Sequence, residues 1–406
     1  MISTNPPKTY DWFPDEFKIR KYIFDTWRKV CQSYGFEEYL PLVEDIAIWQ
    51  AKSEDVGTEL TRLTDRSGEI SELALRPEMT PTVTRMVSKV WKEIEKPVKW
   101  FSIANFYRNE RPQKRNREFW QLNCDIFQNG IESDIEILTL GLDLMLAFNP
   151  PKSFALHLNH RKLLDSFFSE IAKNTDKIAL FRLLDKYKKL RKEDFLAALK
   201  DLIDESIDLT LKFLNSESLN DLERNFSFLA SNNDYLYFKK IFENLEKLGY
   251  SEYIKFSGSL IRGFDYYDVV FEMFDNNPEN PRALFGRYNL ASIFIKEDIP
   301  AVGMAPGDET MKIFLEHWIL KNLSKQKDVY FLPLLDEKLF LKTQILAKKL
   351  RSEKNILLLS PKKIVKALKF AEKNNIENII IFEQEAENNE FIIKNLITSK
   401  EKIFKI

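Results

Sequence analysis

The segment 98–127 constrains the fold more than any other part of the chain. Val98 to Glu110 and Arg117 to Phe127 each read as a strand, and the polar loop between them contains Pro112, so the pair predicts a long antiparallel hairpin. Along the second strand Trp120, Leu122, Cys124 and Ile126 point one way, and Phe119, Gln121, Asn123 and Asp125 the other. One face is core. The opposite row either meets water, the usual fate of a polar strand face, or lines a site. The neighbouring strand argues for a site: Phe106, Arg108 and Glu110 share one face, and Arg108, Arg111, Lys114, Arg115 and Arg117 put five cations into ten residues. Arginine pairs bidentately with phosphate oxygens, Glu110 can accept from an exocyclic amine, and Phe119 offers a stacking surface, a set that suits ATP. The alternative is a surface hairpin with solvated charges. Neither a Walker A sequence nor G-x-G-x-x-G is present, so a nucleotide bound here is held by side chains on a sheet.

Around the hairpin the pattern changes in blocks. Phe17, Ile19, Tyr22, Ile23, Trp27 and Val30 recur at helical spacing after Pro14-Asp15, and Gly35 marks the end of that helix. From Arg161 to Tyr250 the pattern is helical throughout, rich in Leu, Phe and Lys, and reads as an inserted helical module. Strand patterns return in Ser257 to Asp275 and Leu284 to Ile295, and a helix follows Gly307-Asp308. Beyond a linker at Asn322 to Lys327 come a strand (Val329–Leu332), a helix (Asp336–Lys354), a strand (Ile356–Leu359), a helix (Pro361–Asn374, with Ser360 as its cap), a strand (Ile379–Phe382) and two short terminal strands. This alternation predicts a small α/β domain with parallel strands. The division expected is 1–160 and 251–322 for a discontinuous core, 161–250 for the insertion and 327–406 for the terminal domain.

Composition removes several classes. The 406 residues, 44% hydrophobic and 30% charged, are enough for two or three domains and exclude a disordered chain. The formal charge is only -1, so any nucleic-acid contact is local. It is also unevenly spread: residues 325–406 carry 17 Lys and Arg against 11 Asp and Glu, a net of +6, which leaves -7 on the preceding part. A basic tail on an acidic body suggests an RNA contact, although lysine-rich helix faces are often only solvated. The Leu-rich run Ile137 to Phe148 is too short to span a bilayer and carries Asp143, so no membrane partner is expected. The opening MISTNPPKTYDWF lacks the features of a signal or transit peptide, and the expected compartment is the cytoplasm. Cys31 and Cys124 exclude a disulfide framework, and Cys124, on the apolar face, is expected to be a buried thiol. His157 and His160 are expected to be structural or close to RNA rather than metal ligands, and no residue is assigned to a metal.

At this point the chain resembles a known family. Gly35-Phe36-Glu37-Glu38-Tyr39-Leu40-Pro41, Leu75-Arg76-Pro77-Glu78-Met79-Thr80 and Tyr107-Arg108-Asn109-Glu110-Arg111-Pro112-Gln113 look like the first two signature motifs of class II aminoacyl-tRNA synthetases. Arg117 to Asp125 and Leu260-Ile261-Arg262-Gly263-Phe264-Asp265-Tyr266-Tyr267 resemble the histidine-specific members, and the likeness runs through essentially the whole chain. The resemblance implies an α+β fold: a six-stranded antiparallel catalytic sheet with flanking helices, a helical insertion and a C-terminal α/β anticodon-binding domain. It implies a homodimer formed through the first motif. It also implies a histidine–tRNA ligase activity, in which L-histidine and ATP, with Mg2+ bridging the phosphates, give histidyl-adenylate, and the histidyl group then passes to the 3' end of tRNA(His). Carried over by position, Arg108 would hold the α-phosphate, Glu110 the adenine amine, Phe119 the adenine ring and Arg115 the distal phosphates. Glu78, Thr80 and Gln121 would bind the histidine α-amino group, Asp125 and Tyr267 would read the imidazole, and Tyr266 would line the pocket. Arg262 would bridge the substrate carboxylate and the α-phosphate as the catalytic cation, and Asp265 is expected to orient the backbone and the neighbouring Tyr.

Four positions depart from the family pattern. Thr310 stands where the third motif normally ends in Arg, Asp125 stands where Glu is usual, the loop Lys114-Arg115-Asn116 is one residue short, and Phe285-Gly286-Arg287-Tyr288-Asn289 replaces a glycine-richer string. These bear on the main rival, a synthetase-like paralogue that regulates ATP phosphoribosyltransferase and does not aminoacylate. That paralogue generally lacks the anticodon domain and has a degraded histidine site. Arg262, Glu78, Arg108, Gln121 and the domain after residue 325 favour the enzyme over it and over a tRNA-binding module without catalysis.

Overall fold

The computed structural model describes residues 9, 11–41, 43–50, 60–108, 117–128, 130–173, 175–203, 206–261, 269–277, 282–288, 298–320, 329–359, 363–381 and 390–405. The chain forms two compact units, Met1–Ile319 and Leu320–Ile406.

The first unit is built on an eight-stranded sheet. In spatial order its strands are Glu37–Glu38, Val98–Tyr107, Glu118–Phe127, Ala301–Ala305, Arg282–Tyr288, Val269–Asp275, Phe154–His160 and Ile254–Phe256. The six inner strands pair antiparallel throughout, and each edge adds one short parallel strand. The α+β class and the six-stranded antiparallel sheet are therefore as the sequence led one to expect. The hairpin is its longest pairing, with ten residues in register from Val98↔Phe127 to Tyr107↔Glu118.

The two faces of the hairpin carry different cargo. On the back, helix Pro14–Ser33 buries Ile23, Phe24, Trp27 and Cys31 on one stripe, and Cys31 Sγ lies 3.3 Å from Cys124 Sγ. The helix ends where Gly35 takes φ +77°, a conformation that costs glycine nothing. On the front, Met79 and helix Thr80–Val90, through Val83 and Val87, pack with Val98, Ala104, Phe106, Phe127, Ile299 and Ala301. A separate three-stranded sheet, Glu44–Asp45, Ile70–Leu75 and Thr61–Thr64, lies in the same unit.

Between Arg161 and Lys247 the described residues form six α-helices and one short 3-10 turn. Their interior is aromatic: Phe167, Phe168, Phe213 and Phe238 are fully buried. Gly258 ties this module to the sheet. Its N–H donates to Ser216 O at 3.0 Å, and a Cβ added there would stand 1.9 Å from Phe213 O.

In the second unit a five-stranded sheet runs in the order Asn355–Leu359, Val329–Pro333, Asn378–Ile381, Glu390–Asn395, Glu401–Lys405. The first three are parallel, joined by helices Phe340–Leu350 and Ile364–Lys373; the last two close the sheet antiparallel, so it is mixed rather than purely parallel. Phe331 and Leu332 point to opposite sides and enter separate cores, one against Ala367 and Ala371, the other against Leu346 and Ala347. Both helices start later than the sequence pattern suggests. Asp336 caps a 3-10 turn, Glu337–Leu339, ahead of the first. Lys363, with extended backbone (φ -144°, ψ 137°), takes the cap position of the second; Ser360 lies outside the described residues. Among the described residues no helix is long and apolar enough to cross a membrane.

Candidate active site

The row Phe119, Gln121, Asn123, Asp125 does not face bulk water. Asn123 is 5% and Asp125 4% exposed, and Gln121 is half-buried. Their cross-strand partners Phe106, Ala104, Ser102 and Trp100 complete one face of the hairpin. On the other side Gly303 stands opposite Asp125 and Gly286 opposite Gly303. A polar row with glycines beside it, withdrawn from water in the middle of a sheet, is a candidate floor for a ligand.

Gln121 is fixed at one end of the floor. Its Nε2 donates to Ala305 O at 3.1 Å, and Asn123 Nδ2 reaches Gln121 Oε1 at 3.5 Å. Burial of its hydroxyl, then the Asp125 charge, pushes the Tyr39 phenol well above its ordinary range. Phe119 lies on Phe106, ring centroids 5.7 Å apart and planes 26° apart.

Arg108 closes the near side of the floor. Its guanidinium sits 5.1 Å from the Phe119 ring centre, and its Nε donates to Pro77 O at 2.9 Å. That second contact is the useful one, because Pro77 precedes Glu78, and Thr80 opens helix Thr80–Val90. Tyr107 N donates to Arg76 O at 2.9 Å, so the motif around Glu78 is laced to the strand that ends at Arg108. Both Glu78 and Thr80 are half-buried. Arg108, Glu78 and Thr80 are thus brought to one place, with Phe119 against Arg108, although they come from three separate stretches of sequence. Glu110, Arg115, Arg262, Asp265, Tyr266 and Tyr267 lie outside the described residues.

Thr310 does not reach toward this floor through its hydroxyl, which donates to Gly307 O at 2.9 Å within its own helix turn. His160 is buried and caps helix Arg161–Ile171, accepting from Leu163 N. Cys124 is a fully buried thiol whose pKa is pushed up by burial. Among the described residues no group of three or more His, Cys, Asp or Glu side chains is placed to hold a metal ion.

Three shaping residues received no role from the sequence. Arg76 donates to Asn105 O at 2.8 Å and Pro41 O at 2.6 Å and lies 5.6 Å from the centre of the Phe106 ring; burial pulls its pKa down. Arg20 and Asp308 form a buried ion pair across 288 positions. Arg76 falls inside a quoted motif and could have been singled out there. No local pattern announces the other two.

Comparison with known proteins agrees with the geometry. A family profile described as histidyl-tRNA synthetase matches residues 8–309. The histidine–tRNA ligase of Leptospira biflexa serovar Patoc is 36% identical over 428 residues, covering 100% of this chain and 95% of that protein. Among solved structures, the histidyl-tRNA synthetase of Nostoc sp. PCC 7120 superposes with a TM-score of 0.85 at 20% identity, over 100% of this chain and 97% of that one. A Bacillus halodurans C protein described as an ATP phosphoribosyltransferase regulatory subunit/histidyl-tRNA synthetase gives 0.76 at 20% identity, over 92% and 97%. These two structural likenesses establish the fold and do not separate enzyme from regulator; the profile and the end-to-end sequence match carry the assignment. The chain belongs to the histidyl-tRNA synthetase family.

Proposed function

We propose that the chain is a histidine–tRNA ligase, and that the floor under Arg108 is where histidine meets ATP. In the first step a carboxylate oxygen of histidine attacks the α-phosphorus, the bond from that phosphorus to the bridging oxygen breaks, and pyrophosphate leaves. The nucleophile is already ionised, so no general base is required and catalysis reduces to alignment and charge stabilisation. In this reading Arg108 draws the α-phosphate onto the floor and Phe119 carries the adenine, and Glu110 is assigned to its amine and Arg115 to the distal phosphates. Glu78, Thr80 and Gln121 take the α-amino group, and Asp125 with Tyr266 and Tyr267 the imidazole. Arg262 is assigned the role of the cation between the two anions, where a desolvated guanidinium would attract most strongly as charge develops. Magnesium, when bound, neutralises phosphate charge; the chain's own residues orient the reactants. In the second step a ribose hydroxyl of the tRNA 3' adenosine attacks the carbonyl carbon and AMP leaves.

The observation that carries this reading is the polar row Gln121, Asn123, Asp125, withdrawn from bulk water on the same hairpin that carries Arg108 against Pro77 O, in a chain matched end to end by a histidine–tRNA ligase. Residues 1–160 and 251–322 form the catalytic core in this reading, 161–250 the insertion, and 327–406 the anticodon-binding domain, whose net positive charge favours RNA. A homodimer through the first motif is supported by Leu40, Val43, Ile70 and Leu73, four large apolar side chains between 41% and 67% exposed near that motif. The deciding test is histidine-dependent exchange of labelled pyrophosphate into ATP. A regulator or a bare RNA binder fails it.

A further inference from the structure

On the side of Ala301–Ala305, strand Glu118–Phe127 comes to the end of its pairing near Gln121, where an isolated antiparallel bridge to Gly307 is the last step. Its ladder with Ala301–Ala305 is regular at Ile126, Asp125 and Cys124, but past Ala305 the partner chain turns into Pro306, Gly307 and then helix Asp308–Trp318. Leu122 N still finds Pro306 O at 3.0 Å. Trp120 N, one ladder step further, is met by a side chain: Asp308 Oδ1 accepts from it at 3.0 Å. The carboxylate supplies the acceptor for Trp120 N just beyond the last backbone bridge, Gln121↔Gly307.

That carboxylate is itself held. Its other oxygen accepts from Arg20 Nε at 2.8 Å, with the Arg20 side chain 4% and the Asp308 side chain 1% exposed. Arg20 also pairs with Glu309, and the Trp12 ring covers it, with the guanidinium carbon 3.7 Å from the ring centre. Burial raises the Asp308 pKa, and the Arg20 guanidinium and the Trp120 N–H both oppose that rise. Trp120 lies between Phe119 and Gln121, and its ring packs behind the sheet, 5.2 Å from Phe24.

We propose that Arg20 and Asp308 are positioning residues for the substrate floor: by fixing the Trp120 N–H they set where Phe119 and Gln121 stand. A buried ion pair is an expensive way to gain stability alone, whereas a charged acceptor on one backbone N–H at a ladder's end fixes position with a strong, directional bond. The assignment rests on the ligase reading for what Phe119 and Gln121 bind.

The test compares full-length wild type, Asp308→Ala and Asp308→Asn. Asparagine keeps an oxygen able to accept from Trp120 N–H; alanine keeps none. In pyrophosphate exchange, Asp308→Ala should raise KM for ATP about tenfold while kcat per folded enzyme changes less than about threefold, and Asp308→Asn should hold KM within about threefold of wild type. Amide hydrogen exchange should quicken in the 118–122 peptide of the alanine variant, less so with asparagine, and stay unchanged in the 98–107 peptide. A purely structural pair would lower the melting temperature and leave KM untouched, and that result overturns the proposal; so does identical behaviour of the two variants. Should Asp308→Ala not fold, Arg20→Gln serves: an ATP KM raised about threefold supports positioning, and an unchanged KM with unchanged 118–122 exchange refutes it. A wild type inactive in exchange would sink the ligase reading instead, and hydrogen exchange would still decide the role of Asp308.

Discussion

Arg108 holds two groups with one planar fork, Pro77 O through its Nε and the Phe119 ring against its face. Lysine cannot do both in this geometry, because its ammonium has no flat face to lay against the ring and no donor at the Nε position that meets Pro77 O. Arg108→Ala should lower kcat/KM for pyrophosphate exchange by about 10²–10³, the scale of losing one charge-stabilising donor. Arg108→Lys should recover little of it; wild-type rates in the lysine variant would show that the fork is idle. His157 gives a prediction of another kind. Burial, then Lys255 and Lys188, pulls its pKa down to about 4, even with Glu272 opposite it across the strand pair. Its unfolded value is about 6.5, so the unfolded chain takes up the proton first, and stability present above that value is lost as pH falls toward the folded value. His157→Gln should flatten the fall in urea midpoint between those two pH values, and a parallel pair of curves would refute the assignment. At this scale the sequence was most legible where residues alternate: the floor row from Phe119 to Asp125 follows from a period of two. Its burial does not, since what covers a strand face comes from elsewhere in the chain, and the Arg20–Asp308 pair leaves no local trace.

Among the elements, the hairpin and the helical insertion were readable because their periodicity is strong and long. The division of residues 161–247 into six helices was not, and neither was the way the module meets the sheet. That meeting is a close approach of backbones, visible only as one glycine at position 258. Gly258→Ala would press a methyl group against the Phe213 carbonyl, and neither backbone can swing aside as a flexible side chain would. The variant should lose about 2 kcal/mol or more in urea unfolding, in line with overpacking elsewhere. An unaltered midpoint would mean that the module shifts freely against the sheet. The next residues, Ser259 to Ile261, lead directly to Arg262, and Asn159 Nδ2 donates to Gly258 O at 3.4 Å and Leu260 O at 3.0 Å. Strain at this contact should therefore also lower exchange activity. The late helix starts in the second unit show the usual limit of reading boundaries from composition: Asp336 caps a turn that only then becomes a helix.

For the whole molecule, the charge imbalance read from sequence follows the division into two units, with the surplus of lysine in the unit Leu320–Ile406. Removing residues 325–406 should weaken tRNA charging far more than histidine-dependent exchange, because the first unit contains the whole floor. Equal loss in both reactions would refute that division of labour. Ser102, Asn123 and Asp125 are withdrawn from water in the middle of the sheet, and an amino acid seated there would add contacts that only the folded chain can offer. Free histidine should therefore act as a thermal protectant. At a hundred times its dissociation constant, mass action gives about 2.7 kcal/mol, and a melting curve indifferent to the amino acid would say that the floor was never its seat.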